Sequence, residues 1–311
     1  MASRLETMSI DHVPAGTFHL LKYKDAFWAT LRRGPVLAEG KLFLPSRRSL
    51  SDLVIFQPGY AGESNRWFEG RHVGPLVRSG FAVFVLRHVG TKVDKSTESL
   101  IGSKKRLKEV ARMGVVLGNR QKFDFSDWVG EVRTALHALS PAFERVHLMG
   151  HSFGGLGTLC ALLDLKPSIA KKVATWVGFS PSLEGFSQAG GRLSQSANQE
   201  KESIRARLVE YLKDRYPTLD PKATESWIAL ARNLHANASR LPHAVRYTAY
   251  HHEKDEYVHR ASIEAFQEKI PDRFRLIPLV DPEEVDPRWP EVHHGAFWSL
   301  PPRTLIQMLR E

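Results

Sequence analysis

The chain has 311 residues, of which 42% are hydrophobic and 25% are charged. This composition is that of an ordinary globular protein and excludes disordered, collagen-like and coiled-coil chains. The length is near the upper size for a single hydrophobic core, so we expect one large domain that carries an insertion. The net charge is +10, but basic residues are dispersed among acidic ones, and the segment 104–112 is the one basic patch whose role stays open. We therefore expect no nucleic-acid partner.

The cysteine content and the apolar runs indicate the cellular compartment in which the protein is expected. Cys160 is the only cysteine and cannot form an intramolecular disulfide, so nothing indicates an oxidising compartment. No apolar run follows the early charge at the N-terminus, and nowhere do 18 apolar residues follow one another, so neither a secretory signal nor a membrane span is expected. These observations favour a cytoplasmic protein. They leave its oligomeric state open.

Strand patterns and helix patterns alternate along most of the chain. Two short runs, 29–32 and 41–44, flank Gly34-Pro35 and predict a leading antiparallel pair. Six further strands are predicted at 53–56, 81–86, 146–149, 173–177, 245–250 and 274–277. Continuous apolar strands separated by helices are typical of a mostly parallel sheet covered on both faces. The pattern therefore predicts an α/β protein with about eight strands.

One stretch, residues 182–242, breaks this alternation. It has no strand pattern: a Gly/Ser/Gln-rich loop is followed by a helical stripe that includes Tyr211. A second helix begins near Pro221, which suits the first turn, and carries Trp227 and Leu234 on one face. We predict an all-helical insertion at 182–242 between two core segments, 1–181 and 243–311.

The segment Gly150-His151-Ser152-Phe153-Gly154 is a G-x-S-x-G motif. It follows an apolar strand directly and leads into an apolar helix, which is the context that the motif requires. The two glycines allow strand and helix to approach, so that the hydroxyl of Ser152 is exposed above the helix N-terminus. A serine in this setting is predicted to be a nucleophile.

This strand, turn and helix resemble the nucleophile elbow of the α/β-hydrolase superfamily, and the resemblance extends from about Ala29 to Leu309. It implies the α/β-hydrolase fold: a mostly parallel, eight-stranded sheet with helices on both faces and an inserted helical lid. It also implies a catalytic triad in the chain order serine, acid, histidine. The lid is expected to lie above Ser152.

By this resemblance, residues 251–258 are similar to the acid loop of the family, with a carboxylate three residues before a valine that re-enters the core. Asp255 is the predicted acid. Other carboxylates remain alternatives: Glu253, Glu256, Asp281, and Glu184 at the position where a minority of the family places its acid.

The segment Val292-His293-His294-Gly295 lies before the terminal helix, where the family keeps its base. A histidine followed by glycine and then by an aromatic residue suits a loop that turns the imidazole back towards the serine. His294 is therefore the predicted base, and His293 is the alternative.

The resemblance also implies an oxyanion hole made of two backbone N–H groups. One is that of Phe153, directly after the nucleophile, and the other is that of Tyr60, which follows Gly59 in the loop after the first long strand. This chain has Pro58 where many relatives have histidine.

The family resemblance implies a serine hydrolase that cleaves a carboxylic ester, thioester or related acyl bond through an acyl-serine. Tyr211, Trp227 and Leu230 are predicted to line a pocket for a small-molecule acyl substrate. An acyltransferase or serine peptidase of the same fold, or a non-catalytic small-molecule receptor, are the alternatives.

No cofactor is expected, because neither a P-loop nor a dinucleotide-binding pattern occurs. No metal is expected either: adjacent histidines, as in 251–252 and 293–294, point in different directions, and no helix carries H-x-x-x-H spacing.

Overall fold

The computed structural model describes residues 18–23, 26–46, 51–59, 68–88, 124–183, 223–255, 257–281 and 293–311. Its centre is one nine-stranded sheet with the order β1-β2-β3-β5-β4-β6-β7-β8-β9. The strands are β1 Phe18–Tyr23, β2 Ala26–Arg33, β3 Val36–Phe43, β4 Asp52–Gln57, β5 Ala82–Arg87, β6 Arg145–His151, β7 Val173–Phe179, β8 Arg246–His251 and β9 Phe274–Pro278.

Strands β4 to β9 run parallel, whereas β1, β2 and β3 form an antiparallel meander that joins the sheet at β5. All eight predicted strands are present, so the mostly parallel sheet is confirmed. Strand β1 is additional. Among the described strands it pairs only with β2, along the register from Phe18 opposite Leu31 to Tyr23 opposite Ala26. An edge strand of this kind is defined by its pairing more than by its own pattern.

The described helices are α1 Gly74–Arg78, which continues a π-helical turn at Glu69–Val73, then α2 Phe125–Leu139, α3 Phe153–Leu162, α4 Pro167–Ala170, α5 Ala223–Ala236, α6 Arg260–Gln267 and α7 Pro302–Arg310. They lie on both faces of the sheet. None of these helices is long and apolar enough to cross a membrane.

Alternate residues of the central strands point into two separate cores. Leu53 and Ile55 of β4 pack in the larger core with residues of α2, α3, α5 and α6, whereas Val54 and Phe56 pack in the smaller core with α1 and α7. Because both faces are covered, every residue of β4 is buried. This explains why the parallel strands read as continuous apolar runs rather than alternating ones.

Helix α2 illustrates how local sequence sets an element. Asp124 caps it by accepting the N–H groups of Ser126 and Asp127 on Oδ1 at 2.7 and 3.2 Å, and Asp127 accepts the N–H of Asp124 at 2.9 Å. This reciprocal arrangement is a capping box. The predicted apolar stripe of this helix is fully buried, which confirms its packing role; it consists of Trp128, Val132, Leu136 and Leu139.

Part of the predicted insertion shares the core of the sheet. Ala231 and Leu234 of α5 are fully buried in the larger core, beside residues of α2 and α3. Residues 184–222, with Tyr211, lie outside the described part of the chain. The division into a core and a lid at 182–242 therefore stays a prediction.

Candidate active site

Ser152 occupies the sharp turn between β6 and α3. Its backbone has φ 53° and ψ −122°, a conformation that L-residues rarely adopt and that costs about 1–3 kcal/mol. Hydrogen bonds hold this turn: the N–H of Ser152 donates to the carbonyl of Phe179 at 2.9 Å, and its own carbonyl accepts from Gly155 and Ser182, each at 3.0 Å. The side chain of Ser152 is thus placed by a rigid, strained backbone.

Glycines make this turn possible. A Cβ on Gly150 would collide with the backbone of Gly154, and a Cβ on Gly154 would collide with the carbonyl of Gln57. Strand β6, helix α3 and the end of β4 therefore approach more closely than any other residue type permits.

His294 and Asp255 form a hydrogen-bonded pair. Nδ1 of His294 lies 2.9 Å from Oδ1 and 3.1 Å from Oδ2 of Asp255. Oδ1 of Asp255 also accepts the backbone N–H groups of Tyr257 and Val258, each at 2.9 Å. These bonds fix the carboxylate, which in turn holds the proton of His294 on Nδ1 and leaves Nε2 as the acceptor.

The environment keeps Asp255 ionised. Its side chain is 0% exposed, and this burial acts to raise its pKa, but the charge and hydrogen bond of His294 outweigh burial, so that the pKa of Asp255 is lowered. An ionised carboxylate at this distance would stabilise a protonated imidazole at His294.

His151, which precedes Ser152, supports the loop that carries His294. Its Nε2 lies 3.0 Å from the carbonyl oxygen of His294, and the two rings are 4.6 Å apart. Burial, with a smaller effect from the charge of His294, lowers the pKa of His151 to about 3. His151 is therefore neutral near pH 7 and donates its Nε2 proton to the carbonyl. On the other side of His294, the ring of Tyr257 packs edge-on at 5.1 Å.

The loop after β4 passes directly beside Ser152. A Cβ on Gly59 would lie 2.9 Å from Cβ of Ser152 and 3.0 Å from Nδ1 of His151. Phe153 opens α3, where the first N–H groups of a helix have no intrahelical acceptor. The predicted donor Tyr60 lies outside the described residues.

The alternative acids and bases that lie in the described residues have different contacts. His293 Nε2 lies 3.4 Å from Asp281, whereas His294 contacts Asp255. Glu253 is exposed, and Glu256 and Glu184 lie outside the described residues.

Two of the residues predicted to bind substrate are described, and both are half-buried on α5. The Trp227 ring packs edge-on against Phe153 at 5.8 Å and Phe125 at 5.5 Å, so it lies next to the residue that follows Ser152. Leu230 packs against the larger core, and its carbonyl lies 3.7 Å from Sγ of Cys160. Tyr211 lies outside the described residues.

Sequence reasoning missed the turn after β7 that is hydrogen-bonded to Ser152. Ser180 has φ 41° and donates its N–H to the carbonyl of Tyr250 at 2.7 Å, and Ser182 then reaches the carbonyl of Ser152. The signal available was Ser180-Pro181-Ser182 directly after an apolar strand. The role of Tyr257 had no sequence signal, because it depends on how the acid loop turns.

No protein-family model matches this chain, and no curated protein matches it. Solved structures do match. Est1E from Butyrivibrio proteoclasticus, with ferulic acid bound, is 12% identical with a TM-score of 0.54, over 91% of this chain and 99% of that one.

Two other structures show the same relationship. The 2,6-dihydroxy-pseudo-oxynicotine hydrolase is 16% identical with a TM-score of 0.54, over 92% of this chain and 66% of that one. The acylaminoacyl peptidase of Pyrococcus horikoshii is 13% identical with a TM-score of 0.50, over 95% of this chain and 42% of that one. Identities this low show a shared fold. Together with the sheet order and the turn at Ser152, they confirm that the chain has the α/β-hydrolase fold.

Proposed function

We propose that the protein is a serine hydrolase that cleaves a carboxylic ester, thioester or related acyl bond of a small molecule through an acyl-Ser152 intermediate. The observation that carries this proposal is the Asp255–His294 pair, whose loop is hydrogen-bonded to His151 beside the strained turn of Ser152. These contacts support the assignment of Ser152 as nucleophile, His294 as base and Asp255 as orienting acid.

In the first half-reaction, the oxygen of Ser152 attacks the acyl carbonyl carbon while Nε2 of His294 takes the hydroxyl proton. The carbonyl oxygen becomes an oxyanion, which the N–H of Phe153 and the N–H after Gly59 stabilise. The bond to the leaving group then breaks as His294 returns the proton to it. Asp255 holds the imidazolium throughout.

In the second half-reaction, water takes the place of the serine hydroxyl. His294 removes one proton from water as its oxygen attacks the acyl carbon, and the ester bond to Ser152 breaks as that proton returns to the serine. The products are the free acid and the regenerated enzyme, and no cofactor enters the balance.

For the substrate, we propose that the insertion 182–242 forms a lid whose apolar side chains bind the acyl or alcohol group. Trp227 supports this because its ring contacts Phe153, which adjoins the nucleophile. The similar solved structures are Est1E with ferulic acid bound, a hydrolase and an acylaminoacyl peptidase, and they are consistent with acyl-bond cleavage.

Intact mass spectrometry after treatment with a fluorophosphonate tests the assignment of the nucleophile. The wild-type chain is expected to gain one adduct, and Ser152→Ala none. Ser182→Ala is the matched control, because it keeps its backbone bond to Ser152 and should label fully. A folded wild-type protein that stays unlabelled would favour a non-catalytic receptor, and a labelled Ser152→Ala protein would remove Ser152 from the mechanism.

A further inference from the structure

Three side chains from three different loops meet beside the Asp255–His294 pair. They are His252, which follows β8, Asp281, which follows β9, and His293, which precedes His294. Nε2 of His252 lies 3.1 Å and Nε2 of His293 lies 3.4 Å from Oδ1 of Asp281. The two imidazole rings stack with centroids 4.6 Å apart and planes 27° apart. We call these three residues the bridging cluster.

Each histidine of the bridging cluster is fixed to one of the two loops that carry the proposed acid and base. His252 begins the turn of Asp255: its carbonyl accepts the N–H of Asp255 at 3.1 Å. His293 begins the turn of His294: its carbonyl accepts the N–H of Ala296 at 3.1 Å. A contact between the two histidines therefore joins the acid loop to the base loop, and Asp281 connects both to the end of β9.

The donor atoms of the cluster lie within 4.8 Å of one another, which raises the alternative of a metal site. The hydrogen bonding of His252 argues against it. Nδ1 of His252 accepts the backbone N–H of Lys254 at 3.1 Å, so a neutral ring carries its proton on Nε2, the atom that faces Asp281. A metal ligand needs the opposite tautomer, with the second nitrogen donating rather than accepting.

The charges around Asp281 favour hydrogen bonds and ion pairs between side chains over a metal site. Its side chain is 64% exposed, and Nζ of Lys254 lies 3.4 Å from Oδ2 and 3.5 Å from Oδ1. Residual desolvation acts to raise the pKa of Asp281, but Lys254, His252 and His293 outweigh it, and the pKa is lowered. The carboxylate is thus available to both imidazoles as an anion.

We propose that the bridging cluster is a positioning device that holds the acid loop against the base loop and so sets the geometry between Asp255 and His294. This inference rests on the proposed function. None of the three side chains takes part in proton transfer. Their effect is to restrict where the imidazole of His294 lies, and displacements of about 1 Å in such groups cost up to about a hundredfold in rate.

Asp281→Asn tests this proposal. Because the side chain is exposed, the substitution should leave the fold intact while it removes the charge that both histidines face. We expect kcat and the rate constant for fluorophosphonate labelling to fall by about tenfold, with KM within about twofold of wild type. Asp281→Glu should recover part of the loss. Asp164→Asn is the matched control: it is a 51% exposed aspartate that pairs with Arg133 and Arg240 away from the site, and its rates should not change.

A double-mutant cycle and a spectroscopic measurement distinguish positioning from a general structural effect. If His293 and Asp281 act as one unit, the double variant His293→Gln, Asp281→Asn should lose no more activity than the worse single variant. The low-field proton resonance of Nδ1 of His294, identified by its loss in His294→Asn, should shift or exchange faster with water in Asp281→Asn. Unchanged rates and an unchanged resonance would overturn the proposal.

The remaining outcomes are also decisive. Equilibrium dialysis with Zn²⁺ should give no stoichiometric binding, and one Zn²⁺ per chain that is lost in Asp281→Asn would replace the positioning role with a metal site. If wild-type Ser152 is not labelled at all, the proposed function fails, whereas the His294 resonance still decides whether the cluster positions that ring.

Discussion

Among the described residues, two aspartate–histidine pairs lie at opposite ends of the parallel sheet. Asp255 and His294 lie in loops at the carboxyl ends, where His294 contacts His151. Asp52 and His147 lie towards the amino ends of β4 and β6, with Nε2 of His147 3.2 Å from Oδ1 of Asp52. The residue types and the distances are similar, so the difference between the pairs lies in their surroundings.

At the amino end, the pair is enclosed by other partners. Arg145 donates to Asp52 through Nε at 2.7 Å and Nη2 at 3.1 Å, and the hydroxyl of Ser51 donates to it at 2.7 Å. His147 is 0% exposed, with Phe81 edge-on at 5.8 Å. Burial lowers the pKa of His147, against the opposing effect of Asp52. The imidazole of His147 is therefore neutral and inaccessible to solvent.

At the carboxyl end, His294 is 12% exposed and its loop is held over His151. An aspartate–histidine pair becomes a candidate base only where the second ring nitrogen of the histidine can reach a nucleophile and solvent. Parallel strands favour this end, because the loops after their carboxyl ends converge above one edge of the sheet.

The largest expected effect on kcat distinguishes the Asp255–His294 pair from the Asp52–His147 pair. Asp255→Asn should lower kcat by about a thousandfold or more, since the asparagine no longer holds the correct tautomer of His294. Asp52→Asn should leave kcat nearly unchanged but lower the free energy of unfolding by roughly 1–3 kcal/mol, because Arg145 loses a charged partner. Steady-state kinetics and urea unfolding measure both. A folded Asp52→Asn protein with a thousandfold loss of activity would contradict the comparison.

A smaller effect is expected from the backbone that adjoins Ser152. Gly59→Ala places a methyl group 2.9 Å from Cβ of Ser152, so the loop that carries the proposed oxyanion donor must shift, at a cost of about 10² in kcat. Gly70→Ala is the matched control, because its Cβ would meet nothing within 4 Å. Equal activity in the two variants would show that the loop after β4 does not serve the reaction.

Substrate choice should depend on the insertion rather than on the ends of the strands. Trp227→Ala is expected to change the preference among acyl chain lengths by about ten- to hundredfold, the scale for one apolar contact region, while labelling by a small fluorophosphonate stays the same. A panel of esters measures this. If variants at Tyr211, Trp227 and Leu230 lowered every rate by one factor and destabilised the fold in step, the insertion would be structural support only.

The smallest expected effect concerns acid stability at the active-site end. Burial lowers the pKa of His72 to about 4, and its ring packs near Phe68 and Phe297. The folded state disfavours its proton, so the associated stability is present above pH 6.5 and is lost as pH falls towards 4.

Between pH 7 and pH 5 this loss is about 2 kcal/mol. His72→Phe should remove that part of the pH dependence, measured by urea unfolding at both pH values. His243→Gln, at an exposed site, should leave it unchanged. An unaltered slope in His72→Phe would mean that His72 is not buried as a neutral ring.

Local sequence determined the elbow and the parallel strands. Gly150, Ser152 and Gly154 lie within five residues, so one short segment was enough to locate the turn, whereas the hydrogen bonds that hold it come from Phe179 and Ser182. The apolar runs of β4 to β7 likewise predicted strands covered on both faces, because burial of every residue leaves a continuous pattern.

Tertiary structure decided the partners of residues far apart in the chain. His293 and His294 are adjacent and chemically identical, and only the turn at 293–295 sends one ring to Asp281 and the other to Asp255, 39 residues away. The edge strand β1 and the packing of α5 into the larger core also depend on surfaces that the chain forms elsewhere. Contacts of this kind result from the arrangement of loops, which local propensity and periodicity do not encode.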